Sequence, residues 1–164
     1  MSLQPQYSPA DLDRYIAEQI ERRKRMMIRD LAYIGEMAVS HARNLPSPSA
    51  ASFPTYPKIP PHQPNYIDWT SNLRSSIGYV IMAEGREAGK GGFQAVGSGS
   101  DGASRGELTA RKAAAGFPGK IVLIVAAGMH YAAYVADKGY DVLDSAELIA
   151  RKLIRQLADK YSNR

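Results

Sequence analysis

Lys120-Ile121-Val122-Leu123-Ile124-Val125-Ala126 is the clearest strand in the sequence, apolar on both of its faces. A strand with apolar side chains above and below needs cover on both sides, which predicts a central position in its sheet. Its expected partner is the earlier β-rich run Ile77-Gly78-Tyr79-Val80-Ile81-Met82-Ala83, entered from a short turn or helical start over Asn72-Leu73-Arg74-Ser75-Ser76.

Helical patterns lie at both ends. Ser8-Pro9 reads as an N-cap followed by proline at the first helical position, and the pattern behind it runs to Leu45-Pro46, a helix over 8–45. Leu12, Ile16 and Ile20 form one apolar stripe; Met27, Leu31, Ile34, Ala38, His41 and Leu45 form a second at heptad spacing. Between them Arg22-Arg23-Lys24-Arg25 interrupts, beside Glu18 and Glu21 as helix-face pairing partners. Unbroken, roughly 36 residues span about 54 Å, against about 40 Å for a compact domain of this size. Either the helix breaks near the charged run or another chain covers its overhang. The last helix, 144–162, starts at Asp144 with Glu147 as capping-box partner and turns Ala146, Ile149, Leu153, Leu157 and Tyr161 inward.

The intervening segments follow from composition. The proline-rich stretch 46–67 is an extended connector. The glycine- and serine-rich stretch 84–119 lacks sustained periodicity and reads as a flexible hairpin arm between the two strands, within a sheet region spanning 68–143. After Gly128 come an aromatic segment, Met129 to Val135, and a turn plus short strand over Lys138 to Leu143. The predicted architecture is one α+β domain: a long N-terminal helix, a small antiparallel-type sheet with a long flexible hairpin arm, and a C-terminal helix packed on the sheet.

Composition narrows the function classes. The 164 residues contain no cysteine, which removes disulfides, thiolate metal sites and cysteine nucleophiles. No stretch approaches a membrane span, and Met1-Ser2-Leu3-Gln4-Pro5 lacks the basic-then-apolar order of a secretion signal. The net charge of +5 is spread along the chain. Gly97-Ser98-Gly99-Ser100-Asp101-Gly102 matches G-x-G-x-x-G, a dinucleotide fingerprint that needs a buried strand before it and a helix N-terminus after it; neither is expected here, so it reads as loop. The three histidines, His41, His62 and His130, lack metal-ligand spacing. His130 is the one candidate base, with Asp137 or Asp141 in reach, against a structural role. Asp11/Asp13 and Asp141/Asp144 lie at helix starts, where negative charge is favourable without catalysis.

One constellation stands out. Asp68-Trp69-Thr70-Ser71-Asn72-Leu73-Arg74-Ser75-Ser76-Ile77, a long loop, an apolar strand ending in Gly128-Met129-His130-Tyr131-Ala132-Ala133-Tyr134-Val135, and Gly139-Tyr140-Asp141-Val142-Leu143 together resemble the minor tail or tail-completion (head–tail joining) family of long-tailed bacteriophages. That family carries T-G-x-L-R-x-S-I before its first strand and Y-A-x-x-[VL]-E-x-G after a later one; here Ser71 replaces the glycine and Ala136-Asp137 replaces the glutamate. The resemblance implies a structural, non-enzymatic virion subunit, made and assembled in the bacterial cytoplasm. It would act as a homo-oligomeric ring docked to other head or tail proteins, with no cofactor, metal, membrane or small-molecule substrate, and with DNA met only through a tail lumen. Arg74, Tyr131 and Tyr134 are the expected interface residues in the motifs, Arg74 toward water or a neighbouring subunit's carboxylates and the tyrosines on one helical face if their segment is helical; Arg86, Lys90 and Arg105 are those in the arm. The alternative is a nucleic-acid-binding protein using a diffuse basic surface and the 84–119 arm.

Overall fold

The structure, a computed structural model, describes residues 8–45 and 66–162. The connector expected over 46–67 therefore lies outside the described residues except for Tyr66 and Ile67, as does His62.

Helix α1, Pro9–Arg43, is unbroken for 35 residues, about 52 Å. Its start is a reciprocal capping box: Ser8 Oγ accepts from Asp11 N at 3.2 Å, and the Asp11 carboxylate accepts from Ser8 N at 3.4 Å. The charged run does not break the helix, because Arg and Lys are good helix formers and Lys24 donates to Glu21 at 2.9 Å. Only the second half carries core residues, namely Ile34, Gly35, Ala38, Val39 and Ala42.

Helix α2, Asn72–Ser75, leads into β1, Ile77–Ala83; β2 is Arg86–Gly92 and β3 is Val122–Ala127. All pairing is antiparallel, in the order β2-β1-β3. The β1–β2 hairpin turns on Glu84 and Gly85, both at positive φ (54° and 80°), as a two-residue turn that matches strand twist requires. The register slips between Ile81 and Met82, the irregularity of a bulge.

The central strand is β1, not the 120–126 run, which forms an edge. The reason lies in the layers. Helix α1 and helix α5, Asp144–Ser162, cover one face of the sheet, where Ala38, Val39, Ala42 and Ala146 pack with Ile77, Tyr79 and Ile81, and Leu123 and Val125 join them. Helix α3, Ser100–Ala114, covers the other, where Ala110 packs with Val80, Ala126 and Ile124. A double-sided apolar pattern reports cover on two faces and says nothing of the in-plane neighbour.

The segment 84–119 corrects the arm expectation: a hairpin is present, but most of the segment is β2 and the packed helix α3. Its glycines are there for close approach. A Cβ on Gly102 would fall 2.0 Å from Asn72 O, and one on Gly106 would fall 2.2 Å from Ser76 O. The buried face of α3 is Gly102, Gly106, Ala110 and Ala114, four residues apart, so its backbone lies directly on α2 and β1.

Helix α4, Ala132–Asp137, follows β3, and the chain over 138–143 is turn and bend, with no short strand. A third apolar cluster, Tyr66, Leu73, Met129, Ala132 and Val142, closes that end of the domain. Helix α5 lies antiparallel to α1: His41 Nε2 meets Ser145 Oγ at 2.8 Å, and Tyr161 Oη donates to Asp30 Oδ2 at 3.0 Å. Its inward residues are those expected, while its side-chain cap is Asp141, whose Oδ1 accepts from Ser145 N at 3.2 Å, in place of Asp144.

Candidate assembly surfaces

Arg74 turns into its own chain. Its Nη2 donates to Leu45 O at 2.5 Å, and its Nε lies 4.0 Å from Asp68 Oδ2, with both side chains largely buried. Burial raises the Asp68 carboxyl above its ordinary value against the opposing pull of Arg74 and backbone donors. Burial, then the nearby Asp68 charge, pushes the Tyr66 phenol up to about 12. The motif that opens β1 thus ties the start of the sheet to the end of α1. The two buried serines between them complete the joint: Ser75 Oγ accepts from Val96 N at 2.8 Å, and Ser76 Oγ accepts from Gly128 N at 3.1 Å. The second motif's Gly128 is therefore bonded to the first motif's Ser76.

The two tyrosines do not share a face. Tyr131 packs against the end cluster with its ring edge-on to His130, 5.1 Å between centroids, whereas Tyr134 is 63% exposed with Lys138 Nζ 5.2 Å from its ring centre. Among the described residues no hydrogen bond joins His130 to Asp137 or Asp141, and Asp141 is engaged as the α5 cap.

Basic residues expected to project from an arm lie on β2 and α3, where acids meet most of them. Lys90 Nζ is 2.7 Å from Glu107, Arg105 Nε 2.8 Å from Asp101, and Arg111 bridges Glu87 and Glu107 at 2.7 Å each. Lys90, then Arg111, holds the Glu107 carboxyl below its ordinary value. Arg86 is exposed beside the turn, where Glu84 is paired with Lys24 of α1.

The G-x-G-x-x-G stretch does precede a helix, contrary to expectation, since Gly99 is the N-cap residue of α3. The strand before it, β2, is mostly exposed and ends at Gly92, short of the glycines, and the amide of Gly102 already donates to Asn72 Oδ1 at 3.1 Å. The glycines serve the contact with α2.

Two of the uncovered surfaces among the described residues bear on assembly. The first is the N-terminal half of α1. No side-chain hydrogen bond or ion pair joins residues 9–23 to any described element other than α1 and its cap, and Leu12, Ile16 and Ile20 are 55%, 46% and 49% exposed. The second is the outer edge of β3, which no described strand pairs, beside an apolar groove of about 270 Å³ lined by Ala38, Leu123, Val125, Leu143, Ala146 and Ala150. The helix overhang was readable from length and stripe; the strand edge was not, because periodicity carries no record of sheet order. No group of three or more His, Asp or Glu among the described residues is placed to hold a metal ion, and no described helix is long and apolar enough to cross a membrane.

Comparison with known proteins finds no matching family, no matching curated protein and no matching solved structure.

Proposed function

We propose that the chain is a structural subunit of a long-tailed phage virion, a tail-completion or head–tail connector protein that works by assembling into a ring and docking to other head or tail proteins, without catalysis. The observation that carries this reading is the α1 overhang: a helix about 52 Å long whose outer half presents Leu12, Ile16 and Ile20 to solvent. A contiguous exposed apolar stripe marks a surface that another chain can cover, and burying it stabilises by roughly 25 cal/mol per Å² of apolar surface. The unpaired edge of β3 is a second surface suited to a neighbour, since it presents a row of backbone donors and acceptors. The resemblance of the 68–77 and 128–143 motifs to the tail-completion family supplies the virion context.

The nucleic-acid alternative is weakened by the pairing of Lys90, Arg105 and Arg111 with acids, which leaves less charge for phosphates. Light scattering with negative-stain microscopy across a protein concentration series tests the choice. A closed ring supports the proposal. A chain that forms no assembly and binds DNA with an affinity falling steeply in salt overturns it in favour of the alternative.

A further inference from the structure

We infer that two copies of this chain pair through antiparallel α1 helices, each docking its overhang on the other with Ile16 opposite Ile20 and Asp13 opposite Arg23. This pairing occupies the same overhang that the ring reading draws on, and it does not require a ring.

The seat is already half used. Helix α5 runs antiparallel along α1 from His41, bonded to Ser145, to Asp30, bonded to Tyr161, and the helix ends at Ser162. Beyond that point the same side of α1 continues as Met27, Ile20, Ile16 and Leu12, all exposed. At 100° per residue these four, with Asp13 and Arg23, fall within an arc of about 100° that also contains Asp30 and Ile34. A helix laid on this stripe therefore extends the line of α5.

Charge identifies the occupant as a second copy. Residues 11–21 carry Asp11, Asp13, Glu18 and Glu21 against Arg14, four acids to one base; residues 22–29 carry Arg22, Arg23, Lys24, Arg25 and Arg29 with no acid. Among the described residues neither Asp13 nor Arg23 has an ion-pair partner. Parallel pairing in register would set Asp13 on Asp13 and Arg23 on Arg23. An antiparallel pairing centred at the height of Glu18 sets each Asp13 opposite the other copy's Arg23, twice, around two Ile16–Ile20 contacts. Glu18 itself lies about 160° from Ile16 around the helix and so avoids its copy. The arrangement also brings the positive N-terminus of the partner's α1 toward the negative C-terminus of α5.

The experiment is sedimentation velocity of the full chain over a concentration series, with Asp13→Arg and Arg23→Asp as single variants, as the double variant, and as a mixture of the two singles. Self-association should be lost in each single variant, restored in the double variant, and restored in the mixture as a heterodimer. Thermal melts at low concentration should match wild type in every case. A wild-type chain monomeric at every concentration overturns the inference. So does association unchanged in the single variants, including a ring that forms regardless, which would leave the ring reading standing. A single variant with a lowered melting temperature at low concentration also overturns it, by showing that the chain covers this stripe itself.

Discussion

Gly106 of α3 sits on the carbonyl of Ser76 at the start of β1: a side chain as small as a methyl would place its carbon 2.2 Å from that oxygen and 2.7 Å from the Phe93 ring. Gly106→Ala should therefore destabilise by about 1–3 kcal/mol through overpacking, although alanine in a helix interior is ordinarily favoured by about 1 kcal/mol over glycine. Gly116, whose nearest obstacle is Ala113 O at 3.4 Å, is the control, and Gly116→Ala should change stability by only a few tenths of a kcal/mol. Urea titrations of both variants provide the measurement; equal, negligible effects would mean that α3 does not pack on the sheet.

Tyr79 predicts behaviour in alkali. Burial, then the hydrogen bond of its hydroxyl to Glu36 Oε1 at 3.0 Å, pushes its phenol up to about 12, as burial does for Tyr66. Because the folded value is the higher one, the native state retains protons that the unfolded chain releases. This contribution to stability is fully present below about pH 10, the unfolded tyrosine value, and is lost as pH rises toward about 12. Stability measured between those limits should fall less steeply in Tyr79→Phe than in wild type.

Asp30 predicts the opposite slope in acid. Burial raises its carboxyl, but the Tyr161 hydroxyl, Lys160 and Arg29 together outweigh this and hold it below its ordinary value. The stabilisation is present above about pH 3.9, the unfolded value, and disappears as pH falls through the lower folded value. Asp30→Asn should lose about 1 kcal/mol at neutral pH, with the gap to wild type closing below about pH 4. Chemical denaturation at pH 7 and pH 3 checks both halves.

Replacing residues 86–119 by a short turn should prevent folding. The deletion removes β2 and α3 and exposes Val80, Ala126 and Ile124 to water, a loss that the weak dependence of loop closure on length cannot offset. A shortened chain with a cooperative melt near that of wild type would show that the sheet stands without its third layer.

The two sequence patterns with plain periodicity, those of α1 and α5, were legible to within a residue or two, and so was β1. Helix α3 was not. Helix prediction looks for large apolar residues three and four apart, and α3 buries Gly102, Gly106, Ala110 and Ala114. Small residues hide a buried face because their contribution is close backbone contact and not apolar bulk. Arg74 was misplaced for a related reason. A charged residue in a motif suggests solvent, and only the fold brings Asp68 and Leu45 O to it. Of the expected interface residues, Tyr134 and Arg86 lie exposed, whereas Lys90 and Arg105 are engaged by acids within the chain.

The clasp between the first and last helices also sets the order of events during synthesis. His41 and Ser145 are 104 residues apart, and Asp30 and Tyr161 are 131 apart, so α1 cannot be closed by α5 until all the chain between them has been made. Contacts of such long range make folding slow. Until α5 arrives, Leu31, Ala38 and the sheet face beneath them stay open to other nascent chains, a period in which aggregation competes with folding. A lower level of expression, which leaves fewer incomplete chains present at one time, should favour the soluble product for this reason.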